Sequence, residues 1–402
     1  MKKNLLFVIP SLSAGGGERS LVNLLTHMDY NEFNVDLVLF NKEGLFLEML
    51  PKEVKLVQIS GKYEQFVLPI GSSLKHFVRQ GDTPLLVNRV MFTLMNRVYK
   101  EAGVREQRSW KHIAASMEPI KKHYDAAIGF LEKSSIYFCV DKVSADKKIG
   151  WVHTDYDKLE LDPSFDQSYF SKLDRIVTVS EECATVLKTR FSKLRDNIDV
   201  IHNIVSPVMV QQLAMKETND LYEHDDQAII ICSVGRLHEL KGFDYAVEAC
   251  KRLIDRGLNI KWYIIGEGPE RDKLAKMIAN LGVEKHLFLI GLKANPYPYM
   301  KHADIYAQTS RVEGKSIAID EAKILHKPIL ITNFSTAKDQ IVDGVEGIIV
   351  EMNVEAIANG LERLVQEEQL RRRLSQNLSR LELGTESEIE KLYELIGLVS
   401  VK

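Results

Sequence analysis

Two glutamates in the stretch "RVEGKSIAIDEAKILHKPIL", Glu313 and Glu321, have seven residues between them. Gly314, Lys315 and Ser316 follow the first, and an apolar, helix-like run carries the second. If a helix starts near Ser316, Glu321 lies about 7 Å along its axis at about 1.5 Å per residue. Two carboxylates displaced in this way can hydrogen-bond hydroxyl groups at two ends of one ligand. Glutamate is also an ordinary helix former that favours helix starts, so the pair alone is equally well a solvated surface feature.

A cationic pair precedes them. In "SVGRLHELKGFDYAVEA" (233–249), Arg236 and Lys241 bracket a loop that leads from a strand-like run into a helix. A planar guanidinium fork beside a compact ammonium suits a diphosphate. Near the start, "SAGGGER" (13–19) sets Gly16, Gly17 and Glu18 at another strand-to-helix junction. Glycine there lets backbone approach a ligand, and the helix start offers N–H groups to an anion. The run lacks the GxGxxG register, and no acidic residue is well placed at the end of the second strand to hold a ribose. Both features weigh against a dinucleotide site.

These groups need a scaffold, and the pattern of the chain predicts one. Short Val/Ile-rich runs alternate with helix-length segments at 4–10, 34–40, 125–131, 148–152, 175–180 and 198–203. The alternation resumes at 227–234, 259–266, 286–291, 303–309, 328–332 and 347–351. Such alternation implies parallel sheets covered by helices on both faces. Ligands of these sheets bind where strands end and loops enter helices. The expectation is therefore an α/β protein of two Rossmann-like domains facing each other across a cleft. The predicted divisions are an N-terminal domain at 1–205, a linker at 206–226 and a C-terminal domain at 227–375. A helical segment at 376–402 is expected to pack back towards the first domain.

The bulk composition agrees. At 402 residues the chain exceeds one ordinary core. Its 45% apolar and 27% charged content is that of a globular protein, and a net charge of −3 gives no reason to expect nucleic acid. Four cysteines without metal-ligand spacing read as buried hydrophobes in a reducing compartment. No apolar run reaches membrane-spanning length, and the N-terminal run stops at Pro10, too early for a signal peptide. A cytoplasmic location is expected.

One region breaks the alternation. Between 62 and 123 basic residues outnumber acidic ones, and Asp82-Thr83-Pro84 can cap and start a helix. On a helical wheel Val87, Val90, Met91, Leu94, Met95 and Val98 form an apolar stripe. Arg89, Thr93, Asn96, Arg97 and Lys100 lie opposite. That is the form of an interfacial membrane helix and equally of a helix packed on a sheet.

Taken in order, "VGRLHELKGFD", "IIGEGPERDKL" (264–274), "ADIYAQTS" (303–310), "EGKSIAIDEA" (313–322) and "DGVEGIIVE" (343–351) resemble the donor domain of glycosyltransferase family four, which has the GT-B fold. The two glutamates match its E-x7-E motif. "GGGER", "WVHTD" (151–155) and "VIHNIVSP" (200–207) match its acceptor-domain landmarks. The resemblance covers nearly the whole chain and is weakest over 62–123.

The resemblance implies that Arg236 and Lys241 grip the diphosphate of a nucleotide-sugar donor. It implies that Glu313 bonds hydroxyls of the transferred sugar and that Glu321 takes the ribose. His153 would lie near the donor sugar and Glu267 near the nucleotide. Gly16, Gly17, Gly314, Lys315 and Ser316 would supply backbone contacts, with Glu18 and Asn203 on the acceptor or interdomain side. Lys315 and Ser316 stand where the family commonly has an aromatic residue and a glycine, so sugar identity does not carry across. The implied reaction retains anomeric configuration without an essential metal or other cofactor. A UDP-sugar is the favoured donor and a membrane-borne, lipid-linked saccharide the favoured acceptor. An anionic membrane surface on the cytoplasmic side is a further expected partner. The alternatives are a GT-B sugar-nucleotide epimerase or phosphorylase, a protein or metabolite glycosyltransferase, a non-catalytic partner subunit and an NAD-dependent oxidoreductase.

Overall fold

The computed structural model describes residues 2–13, 15–218, 221–222 and 228–397. Its contacts divide the chain into two compact units. One comprises Met1–Ser13, Leu24–His202 and Ser387–Lys402, and the other Ala14–Asn23 and Asn203–Glu386. The start of the first helix, Gly16–Thr26, thus counts with the second unit.

The first unit holds a seven-stranded sheet of β1 (Lys3–Ile9), β2 (Phe33–Leu39), β3 (Lys55–Val57), β4 (His123–Gly129), β5 (Ser144–Val152), β6 (Arg175–Thr178) and β7 (Ile198–Val200). Its order is β3-β2-β1-β4-β5-β6-β7, with parallel pairing throughout. The second unit repeats the plan with β8 (Ile229–Val234), β9 (Ile260–Ile265), β10 (Leu287–Leu289), β11 (Ile305–Gln308), β12 (Ile329–Thr332) and β13 (Ile348–Val350), ordered β10-β9-β8-β11-β12-β13. Each is a doubly wound Rossmann sheet, as the alternation predicts. The chain reverses direction across the sheet between β1 and β4, and again between β8 and β11, which opens a ligand crevice at the strand ends. Buried Val, Ile and Leu on both faces of the central strands fill the cores. Cys139, Cys183, Cys232 and Cys250 are free and buried.

Three features depart from the sequence reading. The edge strand β3 was not expected, because it is mostly exposed and Lys55–Val57 offers no apolar run. Within the expected linker, Pro207–Ala214 is a helix whose start is fixed by the Ser206 hydroxyl, which accepts from the Met209 amide, and by proline in its first turn. The remainder of that segment at 219–220 and 223–227 lies outside the described residues.

The third departure concerns the basic segment, where four helices, Gly61–Val67, Ile70–Gln80, Thr83–Val98 and Ala102–Ala114, separate β3 from β4. Asp82 caps Thr83–Val98 as expected, and of the two placements that the sequence left open the helix shows the one with its apolar stripe outward, with Val87, Val90, Leu94 and Val98 exposed. Its inward face is Leu85, Arg89 and Phe92 against Phe66 and Phe77. Arg89 is buried, with its guanidinium over the rings of Phe66 and Phe92, and it donates to the Leu68 carbonyl and the Thr93 hydroxyl. Stacking on two rings and two hydrogen bonds from its Nη groups hold the guanidinium inside, although its Nε is buried with no partner among the described residues.

At the C-terminus the helix Glu388–Leu395 is part of the first unit. Tyr393 packs on Phe33, and Lys3 and Lys147 donate to carbonyls at 395–397.

Candidate functional site

The loops that follow β8 and β11 leave from adjacent strands, and close backbone approach brings them together. Gly242 has φ +61°, and a Cβ there would sit 2.1 Å from the Thr309 carbonyl oxygen. Only glycine fits. The loop after β9 closes on the same place: Gly266 has φ +154° and abuts the Gly235 carbonyl, while the Leu237 amide donates to the Glu267 carbonyl at 2.9 Å. This geometry seats Lys241 against Glu313 with Nζ 2.6 Å from Oε1.

Glu313 is held by more than Lys241. The same Oε1 accepts from Gln308 Nε2 at 2.8 Å and from the Ser310 hydroxyl at 2.5 Å. Three donors saturate one oxygen, while Oε2 accepts no hydrogen bond from the described residues. Gln308 is itself fixed, because its Oε1 accepts from the hydroxyls of Tyr306 and Ser316. Thr336 donates to the Glu313 carbonyl and Thr332 to that of Ser310. Arg311 forms a two-point pair with Asp244 and lies 4.0 Å from the Tyr245 ring centroid. The carboxylate is preorganised, with one oxygen left to a ligand.

Arg236 is exposed, and its guanidinium makes no hydrogen bond or ion pair with the described residues, while its carbonyl accepts from the His238 amide at 2.8 Å. It is a cation on the same loop as Lys241 with its donors unspent. Glu267 is exposed on the next loop and pairs with Arg271 at 2.6 Å. Gly314 is buried in the loop behind Glu313, and Lys315 is half-buried. Ser316 caps the helix Ile317–Ile324, but its amide and carbonyl are both engaged by the Gln340 side chain, each at 2.9 Å. Its amide and hydroxyl are thus already committed within the protein.

Glu321 is 1% exposed. Its Oε1 accepts from the Tyr297 hydroxyl at 2.7 Å, and Arg19 Nη1 lies 3.4 Å away. Arg19 also donates to the Tyr297 hydroxyl at 2.8 Å. The arginine ends "GGGER". Burial pushes the Glu321 carboxyl above the ordinary carboxylate range, and Arg19 pulls it back down. Arg19→Gln leaves this carboxylate without its cation, so a loss of about 3 kcal/mol is expected near neutral pH. The raised carboxyl binds a proton more readily folded than unfolded, so the deficit shrinks as pH falls and Glu321 protonates. Urea unfolding at neutral and mildly acidic pH measures both; a deficit that grows on acidification refutes the pairing.

In the same stretch Gly15 meets the Glu18 carboxylate, which folds back to within 2.0 Å of where a Cβ would be. Gly16 opens onto free space, and Gly17 lies in the first turn of the same helix. Asn203 accepts from the Ser20 hydroxyl and donates to the Lys315 carbonyl, so it ties three segments of the second unit together.

His153 ends β5 in the first unit. Its ring packs on Phe130 and Trp151, and its amide donates to Glu132 at 3.1 Å. Burial holds the imidazole down to about 3, hence neutral at physiological pH. Its Nε2 is buried with no partner among the described residues.

The structure therefore joins Lys241 to Glu313, with Arg236 on the loop that carries Lys241, and places Glu321 in a separate buried cluster. Sequence reading missed Gln308, Ser310, Thr336, Gln340, Tyr297, Arg19 and Glu132. For Gln308 and Ser310 the signal available was a polar residue at the end of an apolar strand; Arg19, Tyr297, Thr336 and Gln340 lie in or beside helices and carry no such mark. Among the described residues no group of three or more His, Cys, Asp and Glu is arranged to hold a metal ion.

Comparison with known proteins adds three results. Residues 216–380 match the family model "Glycosyl transferases group 1". Among curated relatives, alpha-D-kanosaminyltransferase of Streptomyces kanamyceticus is 29% identical over 45% of this chain and 49% of its own. The N-acetylgalactosamine-N,N'-diacetylbacillosaminyl-diphospho-undecaprenol 4-alpha-N-acetylgalactosaminyltransferase of Campylobacter jejuni is 27% identical over 50% of this chain and 54% of its own. The matches span about half the length of these relatives. Among solved structures, Anabaena Alr3699/HepE in complex with UDP and glucose superposes with a TM-score of 0.67 at 15% identity, covering 98% of both chains. That likeness establishes the fold over the whole length.

Proposed function

We propose, from a chain of GT-B fold whose residues 216–380 match the family model of glycosyl transferases group 1, that it transfers a sugar from a nucleoside diphosphate sugar to a saccharide acceptor with retention. The observation that carries this reading is Glu313. One oxygen is saturated by Lys241, Gln308 and Ser310 and the other is unspent, on the loop beside that of the unpaired Arg236. A fixed carboxylate oxygen accepts from sugar hydroxyls, and adjacent cations stabilise the charge that grows on a departing diphosphate. UDP is the favoured nucleotide, in keeping with the ligand of the superposed Anabaena structure. The acceptor is assigned as a lipid-linked saccharide, the kind that the name of the Campylobacter relative prints.

In the reaction the acceptor hydroxyl oxygen bonds to the anomeric carbon on the face from which the diphosphate departs. The hydroxyl proton passes to a phosphate oxygen of the leaving group. Arg236 and Lys241 hold that phosphate and Glu313 fixes the sugar through Oε2, while the family resemblance implies that neutral His153 lies near the donor sugar. The buried Glu321 orders the helix that follows the Glu313 loop and, by the same resemblance, governs the ribose end.

Transfer should proceed in excess EDTA and give an α-linked product from an α-linked donor. Product anomers read by NMR, with and without chelator, check both points. A β-linked product, or activity lost to EDTA and restored by manganese, overturns this mechanism.

A further inference from the structure

Eight of the fifteen strongly exposed large hydrophobic side chains among the described residues fall between Val67 and Val98. Chance placement would not concentrate them so, and half of the eight make one feature. Val87, Val90, Leu94 and Val98 are spaced three and four residues apart on the helix Thr83–Val98, and they are 60%, 48%, 46% and 59% exposed. That spacing puts them on a single stripe. The opposite face is already spent, because Leu85, Arg89 and Phe92 pack inward. The apolar face of this helix is turned to solvent by construction, which singly scattered surface hydrophobes are not.

The charge carried by this helix and its neighbour is of one sign. The helices Ile70–Gln80 and Thr83–Val98 contain Lys75, Arg79, Arg89 and Arg97 and no acidic residue. Asp82 between them is committed to capping Leu85 and pairing with Lys62. Lys75, Arg79 and Arg97 are exposed, as are Val78 on the neighbouring helix and Lys100 just beyond.

We propose that this face is a docking surface for an anionic lipid membrane, with the Val87–Val98 stripe entering the headgroup boundary and Lys75, Arg79 and Arg97 meeting the lipid charge. A second copy of the chain is the poorer occupant, since the two helices would oppose three cations to three and carry no acid of their own to pair them. No helix among the described residues is long and apolar enough to cross a membrane, so the association is interfacial and reversible. The proposal is independent of the transferase reading, because its test reads binding and not activity.

Flotation with phosphatidylcholine vesicles, with and without phosphatidylglycerol, tests it. The wild-type chain should float with the anionic vesicles, stay behind with the neutral ones and be released by high salt. Lys75→Glu/Arg79→Glu/Arg97→Glu should weaken partitioning by roughly 100-fold or more, about fivefold for each cation lost. Val87→Ser/Leu94→Ser, which leaves every charge in place, should weaken it as well. All five positions are exposed or half-free of packing, and unaltered melting of both variants shows that folding is kept. Failure of the wild type to float, equal binding to both vesicle kinds, or flotation unchanged in the variants overturns the proposal. So does a wild-type dimer that Val87→Ser/Leu94→Ser dissociates, since the stripe would then be a self-interface.

Discussion

Arg236→Ala should reduce turnover by about 100-fold or more while leaving the melting temperature unchanged. The guanidinium is exposed and makes no hydrogen bond or ion pair with the described residues, so its removal orphans nothing. The whole effect is then a loss of stabilisation for the departing diphosphate, on the scale of about 2.7 kcal/mol for one such contact. Arg236→Lys should recover part of the loss, because a point charge replaces the field but not the two-point geometry. Steady-state kinetics at saturating donor, paired with thermal melts, give the result. Near wild-type turnover in the alanine variant removes Arg236 from the site.

Glu313→Ala should also cut turnover by at least ~100-fold, but it should cost stability too. Lys241, Gln308 and Ser310 all donate to its Oε1, and alanine strands buried donors at about 1–3 kcal/mol for an unsatisfied group. Sequence alone gives no reason to expect that second penalty, since a ligand-facing glutamate need carry nothing structural. Ser310→Ala separates the roles. It removes one of three donors, so turnover should fall by much less than in Glu313→Ala while the protein remains folded. Equal kinetic losses in the two variants would show that the scaffold, and not the free Oε2, carries the effect.

The sheets were legible because their strands lie in apolar runs between helix-length segments, and twelve of them needed no partner information. β3 was not, for it is largely exposed and stands in no apolar run, whereas β7, β10 and β13, equally short, do. Arg236, Lys241 and Glu313 were legible because each lies just past a strand, where this architecture puts its ligands. The residues that aim them were not. Gln308, Thr336 and Gln340 act through hydrogen bonds to one loop from β11 and from beyond β12, and no local pattern marks a glutamine as a clamp. The pairing of Arg19 with Glu321 joins positions 302 apart in sequence.

Arg89 shows a different limit. A helical wheel separates two faces of Thr83–Val98 but does not say which one turns inward. The aromatic rings of Phe66 and Phe92, which accept a guanidinium above them, draw Arg89 inside, while Arg97 and Lys100 stay exposed. The helix Pro207–Ala214 was legible in principle, from the cap Ser206 and the proline that follows it. The polar, aperiodic composition of the residues after it hid the signal.

Release of nucleoside diphosphate from a panel of sugar nucleotides, measured with lipid-linked saccharides as acceptors, tests the central claim most directly. The account predicts release matched by glycosylated product for at least one donor with the wild-type chain, falling by about 100-fold in Arg236→Ala and Glu313→Ala. Release from no donor with any acceptor, or equal release by all three proteins, contradicts it.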